Sequence, residues 1–209
     1  LIKIFIEAGY TVIRMGSKVS IKCKFKNKYF IDYATSDYKS DFLDIFIPSK
    51  AKFIIDNSTG FGRLGDLLRV PVFKTVVRDY KHLYQYYPNL MTLITKYYSS
   101  IEKRNLTLKE ILSIESQFKD NKPILEYLNK NKIVSLKPNK KELINFSKEV
   151  IKYIDNDNSI NKEDIQYQKK FWSIYNNYDN HCLKLKLNSE DIDLVISPDF
   201  LKENKWFLK

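Results

Sequence analysis

The stretch Lys52-Phe-Ile-Ile-Asp-Asn-Ser-Thr-Gly-Phe-Gly-Arg-Leu-Gly65 joins an apolar segment to small polar residues and then to glycines. Its apolar beginning predicts a β-strand, and the residues after Thr59 predict a helix. Glycines let the backbone approach an anion closely, and a helix N-terminus carries about half a positive charge. The sequence therefore predicts a phosphate-binding junction over residues 57–65.

Several side chains of this junction suit an anion. Successive N–H groups of a loop such as Asn57–Gly60 can point into one concavity. Ser58 and Thr59 can donate hydroxyl hydrogen bonds, and Arg63 can add a charge-assisted one. We predict that this segment binds phosphate through its backbone and these three side chains.

The flanking sequence alternates strand and helix patterns. Strands are predicted at about 11–15, 29–33, 52–56 and 70–77, and helices at about 1–8, 41–50 and 61–69. This alternation predicts an α/β fold with a Rossmann-like parallel sheet and flanking helices. Ligands of such folds lie at the carboxyl ends of the strands.

The rest of the chain carries helix signals, and all five glycines lie before residue 66. The segments Thr107-Leu-Lys-Glu110 and Asn139-Lys-Lys-Glu142 match capping boxes. Further helices are predicted at about 143–154, at about 162–176, and after Ser197-Pro198. We therefore predict a nucleotide-binding region over 1–100 and a mainly helical region over 101–209 that packs on it. An N-terminal acceptor domain is expected upstream.

Composition narrows the possible partners. The chain has 209 residues and a formal net charge of +11, mostly from scattered Lys among abundant Asn, Ile and Tyr. This pattern is typical of an AT-rich genome, so no nucleic-acid partner is predicted, whereas peripheral contact with an anionic membrane stays open. Without a long apolar run the chain is expected to be soluble and cytoplasmic. Its two distant cysteines predict no metal site.

One alternative function follows from the same glycines. Gly60-Phe-Gly62-Arg-Leu-Gly65 matches the G-x-G-x-x-G pattern of dinucleotide-binding folds. Asp79 stands near the position of the acid that binds a ribose in those folds. An NAD(P)-dependent oxidoreductase is therefore the second hypothesis.

The order of several short motifs resembles a family of bacterial glycosyltransferases encoded with surface-polysaccharide genes. The motifs are Gly9–Gly16, Ile31–Ser36, Ser40–Ile45, Ala51–Gly60 and Pro71-Val, followed by Thr107–Leu112 and Ser197–Leu201. The resemblance implies the C-terminal, donor-binding half of a GT-B fold. It also implies transfer of a sugar from a GDP- or UDP-linked donor to a glycan or lipid-linked acceptor, with the nucleotide-sugar as substrate and no separate cofactor.

The same motifs are more distantly similar to GDP-fucose-dependent fucosyltransferases, and this likeness implies a donor site. The likeness implies that Arg14, Ser58, Thr59 and Gly60 bind the diphosphate. The predicted diphosphate site also includes Gly16, Asn57 and Arg63. Asp41 and Asp44 are the acids nearest these motifs and are the candidates for the donor sugar or ribose, although Asp41 could equally cap the following helix.

The chain departs from the family after Pro71-Val-Phe73. The family usually continues with an Asn and a further Pro, whereas this sequence reads Lys74-Thr-Val-Val-Arg-Asp79. Arg78 is a candidate substitute phosphate contact. The catalytic base is expected in the upstream half, so a non-catalytic remnant is the third hypothesis.

Overall fold

The computed structural model describes residues 1–78, 80, 83, 91–118, 120–155, 161–178 and 194–209. The helices are α1 (Ile2–Glu7), α2 (Asp41–Ser49), α3 (Gly60–Leu68), α4 (Leu108–Ser116), α5 (Asn121–Lys130), α6 (Lys140–Ile154), α7 (Lys162–Asn176) and α8 (Pro198–Glu203). The strands are β1 (Val12–Ile13), β2 (Phe30–Ile31), β3 (Ile54–Asp56), β4 (Val72–Lys74), β5 (Met91–Thr92), β6 (Lys96–Ser99), β7 (Arg104–Asn105), β8 (Ile133–Leu136) and β9 (Val195–Ile196).

A four-stranded parallel sheet in the order β3-β4-β5-β9 forms the centre of the fold. Strands β1 and β2 pair in parallel beside it, and β7-β6-β8 form an antiparallel sheet. The protein is thus α/β, with a parallel sheet flanked by helices, as in Rossmann-like folds. The prediction of a parallel sheet is confirmed, but only β3 and β4 of the four predicted strands belong to it, while β1 and β2 form their own sheet.

Alternation along β4 explains why both faces of this sheet are covered. Neighbouring strand residues point to opposite faces. Val72 packs with Ile54 against α3, whereas Phe73 belongs to the large core that includes Phe146 of α6 and Phe171 of α7. The sheet therefore lies between α3 and the C-terminal helices, and β9 brings the C-terminal region into the sheet itself.

The predicted helix starts agree with the structure. At α4, Thr107 Oγ1 accepts from the Glu110 amide at 3.4 Å, and Glu110 Oε2 accepts from the Thr107 amide at 2.7 Å. At α6, Asn139 and Glu142 make the same reciprocal pair. Both capping boxes are confirmed.

The sequence did not predict the antiparallel sheet, α5, β5 or β9. These strands are two to four residues long, which is too short for their apolar pattern to stand out. No helix in the described part of the chain is both long and apolar enough to cross a membrane.

Candidate functional site

The junction between β3 and α3 is organised by a carboxylate. Asp56 is the last residue of β3 and is buried. Its Oδ1 accepts the Thr59 hydroxyl at 2.6 Å, and its Oδ2 accepts the Thr59 amide at 3.1 Å. Thr59 is the N-cap of α3. A side chain from the strand therefore fixes the residue at which the helix begins.

The loop between them holds an uncommon backbone conformation. Ser58 has a φ of 62°, in the left-handed region that residues other than glycine rarely occupy. Its hydroxyl donates to the Val76 carbonyl of the neighbouring chain segment. Strained residues of this kind cluster at ligand sites. Asn57, Ser58, Thr59 and Gly60 are all exposed.

The three glycines of the junction have different surroundings. A Cβ at Gly62 would lie 2.4 Å from Asp56 Oδ2, and one at Gly65 would lie 2.5 Å from Val72 Cγ2. A Cβ at Gly60 would meet nothing within 4 Å. Gly62 and Gly65 therefore let α3 pack closely on the strands, whereas the space over Gly60 is open.

Backbone donors lie at this open position. The first N–H groups of an α-helix have no intrahelical acceptor. Asp56 accepts from the Thr59 amide, and the Gly62 amide donates to the Thr59 carbonyl at 3.2 Å. The amides of Gly60 and Phe61 lie between these two, in the positive end of the helix dipole.

A buried lysine lies below the junction. Lys74 ends β4 and pairs in register with Asp56 on β3, and only 2% of it is exposed. Burial lowers the pKa of Lys74, while the nearby carboxylates of Asp56 and Asp66 act in the opposite direction. From sequence, Lys74 was only a departure from the resembled family and had no predicted role.

Arg14 follows β1 and is held by a second carboxylate. Its Nη1 donates to both oxygens of Asp32 at 3.2 Å and to the Ile21 carbonyl at 3.0 Å. Asp32 also accepts from the Cys23 amide at 2.7 Å and the Thr35 hydroxyl at 2.9 Å. The Cys23 amide, then Thr35 and Arg14, lower the pKa of Asp32. This network fixes the Arg14 guanidinium, whose side chain remains 31% exposed.

Gly16 lies two residues after Arg14, and Asp41 and Asp44 lie on α2, which follows this segment. The Gly16 carbonyl accepts from Lys39 Nζ at 3.2 Å. Asp44 lies beside the buried Tyr33, whose pKa is raised first by burial and then by Asp44 and Asp41. Asp41 is exposed.

The alternative role of Asp41 as a helix cap is wrong. Ser40 is the N-cap of α2, and its hydroxyl accepts from the Leu43 amide at 3.2 Å. A serine with extended backbone geometry directly before the helix is well suited to this position. Asp41 is instead the first helical residue, which leaves its carboxylate outside the cap.

The predicted site residues fall into two groups. Arg14, Gly16, Asp41 and Asp44 belong to the segment around β1, β2 and α2, whereas Asn57–Arg63 belong to the β3–α3 junction. Helices α2 and α3 pack against each other. The rings of Tyr10 and Phe53, which precede β1 and β3, lie 5.2 Å apart. The two groups are therefore carried by neighbouring elements.

Arg63 has a partner within its own helix. Its Nη1 lies 3.5 Å from Asp66 Oδ2, and about half of its side chain, 51%, is exposed. Sequence reasoning missed Asp32 and Asp56 as residues that hold the site in place. Each directly follows an apolar pair in a predicted strand, Phe30-Ile31 and Ile54-Ile55, and that position was the available signal.

The space beside Gly62 is a test of the dinucleotide-binding hypothesis. In that fingerprint the second glycine lets the backbone approach a pyrophosphate, and the third allows close helix packing. Gly65 has the packing role, but the space beside Gly62 holds the Asp56 carboxylate. Asp79, the expected ribose acid, lies outside the described residues.

In the described ranges, no three His, Cys, Asp or Glu side chains form a group that could hold a metal ion. Comparison with protein-family models, curated proteins and solved structures finds no match to this chain.

Proposed function

We propose that this chain is the donor-binding part of a glycosyltransferase that transfers a sugar from a nucleotide-sugar to a glycan or lipid-linked acceptor in surface-polysaccharide synthesis. In this proposal the α/β unit is the C-terminal half of a GT-B enzyme. The site of action is the cytoplasm, with peripheral contact to a membrane.

The observation that carries the proposal is the open space over Gly60 at the start of α3. Exposed polar residues precede it, and the Gly60 and Phe61 amides lie at the carboxyl end of a parallel strand. Such an edge is where open α/β sheets bind ligands, and a helix N-terminus there favours an anion.

The chemistry of sugar transfer fits these donors. A nucleoside diphosphate leaves during the reaction, so negative charge grows on its phosphate oxygens. Fixed N–H dipoles and a guanidinium stabilise such charge without reorganising during the reaction. In our proposal the Gly60 and Phe61 amides bind one phosphate. Arg14 binds the other through Nη2 and Nε, because Nη1 is taken by Asp32.

The oxidoreductase hypothesis has weaker support. A pyrophosphate that approached Gly62 as in a dinucleotide site would meet the Asp56 carboxylate, and two anions without a cation between them repel. A non-catalytic remnant would share the donor site, so binding alone does not separate it from an active enzyme.

Calorimetric titration with GDP, UDP and NAD tests the proposal. We expect GDP or UDP to bind and NAD to give no heat. Arg14→Ala should weaken nucleotide binding by about 1 to 3 kcal/mol, because it removes a charged hydrogen-bond donor. Ser58→Ala should weaken it less, because the Ser58 hydroxyl already donates to Val76. Binding of NAD alone would favour the oxidoreductase.

A surface-exposed arginine provides the control. Arg69 lies at the other end of α3, as its C-cap, and is exposed. Arg69→Ala removes the same charge without touching the proposed site. Equal loss of affinity in Arg14→Ala and Arg69→Ala would mean that general charge attraction, rather than a guanidinium contact, holds the nucleotide.

A further inference from the structure

Helix α2 carries apolar side chains on its outer surface. Phe42, Ile45 and Phe46 are 68%, 54% and 43% exposed, and their spacing places them on one face of the helix. We call these three residues the aromatic patch. Leu43 and Ile47, which the helical period places on the other side of α2, are partly buried. Helix α2 is therefore apolar on both of these sides, and the side with the aromatic patch is the more exposed.

The patch is preorganised. The rings of Phe42 and Phe46 stack with their centroids 5.3 Å apart. Leu67 of the adjoining helix α3 is 82% exposed, and Tyr38, just before α2, is 81% exposed. Single exposed apolar residues are ordinary on protein surfaces, but a group of large ones on neighbouring elements is typical of a binding surface.

One lysine lies beside the patch. The Lys50 ammonium lies 5.7 Å from the centre of the Phe46 ring. Lys39, just before α2, donates to the Gly16 carbonyl, and the Lys52 ammonium lies 5.3 Å from the centre of the Tyr10 ring. The acid Asp41 is also exposed on this helix, whereas Asp44 is partly buried beside Tyr33. The cation shown beside the patch is thus Lys50, in a chain whose net charge is +11.

We propose that the aromatic patch docks this protein on an anionic lipid surface. Aromatic side chains of an amphipathic helix insert at the boundary between headgroups and acyl chains, while bordering lysines contact anionic headgroups. The charge complementarity favours a lipid surface that carries phosphate. This inference rests on the membrane contact of the proposed function and specifies the surface and the lipid class of that contact. It does not depend on donor binding, since it requires no nucleotide.

Vesicle sedimentation tests the inference. The full chain is mixed with vesicles of phosphatidylcholine alone, or of phosphatidylcholine with phosphatidylglycerol, in the absence of nucleotide. We expect binding to the anionic vesicles that weakens with added salt. The double variant Phe42→Ser/Phe46→Ser should bind at least about tenfold more weakly, because two apolar insertions are lost.

A matched control changes two other exposed apolar residues. Ile101 and Leu125 are 64% and 60% exposed and lie outside α2. Ile101→Ser/Leu125→Ser should keep wild-type vesicle binding. Equal loss in both double variants, or equal binding to neutral and anionic vesicles, would overturn the proposal.

A second readout does not depend on the stability of the serine variant. Tryptophan fluorescence of Phe42→Trp should shift to the blue when anionic vesicles are added, beyond any shift of the wild type, and that of Ile101→Trp should not. Analytical ultracentrifugation gives the competing outcome. A dimer that the Phe42→Ser/Phe46→Ser variant dissociates, with no vesicle binding, would assign the patch to a second copy and overturn the lipid proposal. Nucleotide titration of the same variants keeps this result separate from the proposed donor site.

Discussion

Helices α3 and α4 both begin after a threonine, but they satisfy their first amides in different ways. At α4, Thr107 and Glu110 form a reciprocal capping box. Arg104 Nη2 also donates to Glu110 Oε1 at 2.6 Å. At α3 the hydroxyl of Thr59 turns back to Asp56 on the preceding strand and does not cap the helix. We infer that a helix start closed by its own side chains serves stability, whereas an open helix start is available to a ligand.

Helix α8 adds a third arrangement. Its cap Ser197 donates to Glu149 of α6 at 2.5 Å, and Glu149 also accepts from the Asp199 amide at 2.7 Å. Glu110 and Glu149 thus both serve helix N-termini, yet their pKa values move apart. Arg104 and Thr107 lower the pKa of Glu110 to about 2, whereas burial raises the pKa of Glu149 to about 7.

Among these variants, Lys74→Met should change stability most. It leaves the buried carboxylate of Asp56 beside an apolar side chain, and we expect the free energy of unfolding to fall by about 3 to 5 kcal/mol. The double variant Asp56→Asn/Lys74→Met should cost less than the sum of the single changes, because the two charges leave together. Urea denaturation of Lys74→Met, Asp56→Asn and the double variant measures the three changes. Simple additivity would mean that Lys74 and Asp56 do not interact.

The next prediction concerns the pH dependence at α8. A carboxyl whose folded pKa is raised stabilises the fold most below its unfolded value of 4.5, and that contribution is lost as the pH rises through about 7. The loss amounts to about 3 kcal/mol for this shift. Glu149→Gln should therefore flatten the fall in unfolding free energy between about pH 5 and about pH 8. An unchanged slope in the variant would argue against a protonated Glu149.

Glycine substitutions separate the packed side of α3 from its open side. Gly62→Ala should destabilise the protein by about 1 to 3 kcal/mol, because the new methyl meets Asp56. Gly60→Ala is the matched control, and it should stabilise by up to about 1 kcal/mol through a less flexible unfolded chain. Thermal and urea unfolding of the two variants give the comparison. Equal effects would remove the distinction between the two sides.

The smallest effect is expected at the closed helix start. Thr107→Ala removes one half of the α4 capping box and should cost about 1 kcal/mol of stability. Since this helix start is not proposed to bind a ligand, nucleotide affinity should stay at the wild-type value. Weaker nucleotide binding in Thr107→Ala would show that α4 contributes to the site.

The parts of the fold that the sequence predicted are those with strong local signals. A few adjacent residues determine each of the two capping boxes, at Thr107 and Asn139. The same is true of the β3–glycine–α3 junction. The pairing of β6 with β8 joins residues more than 30 positions apart, as with Lys96 and Leu136. No local pattern carries that information.

The candidate site was predictable to a similar extent. The junction residues were named from their types alone, but the Asp56 carboxylate beside Gly62 required coordinates. The Asp32 network, which uses one nitrogen of Arg14, also required coordinates, because its members follow β1, follow β2 or lie in the loop between them. Sequence types indicate which groups can bind an anion, and only packing decides which of them are already occupied.

Amide chemical shifts during titration with GDP and UDP show whether the start of α3 binds the nucleotide. We expect saturable shifts at Gly60 and Phe61 with either or both nucleotides, and none at Leu108–Glu110 in the closed start of α4. Saturable binding that leaves Gly60 and Phe61 unchanged, or the absence of any binding, would mean that the start of α3 is not a diphosphate site.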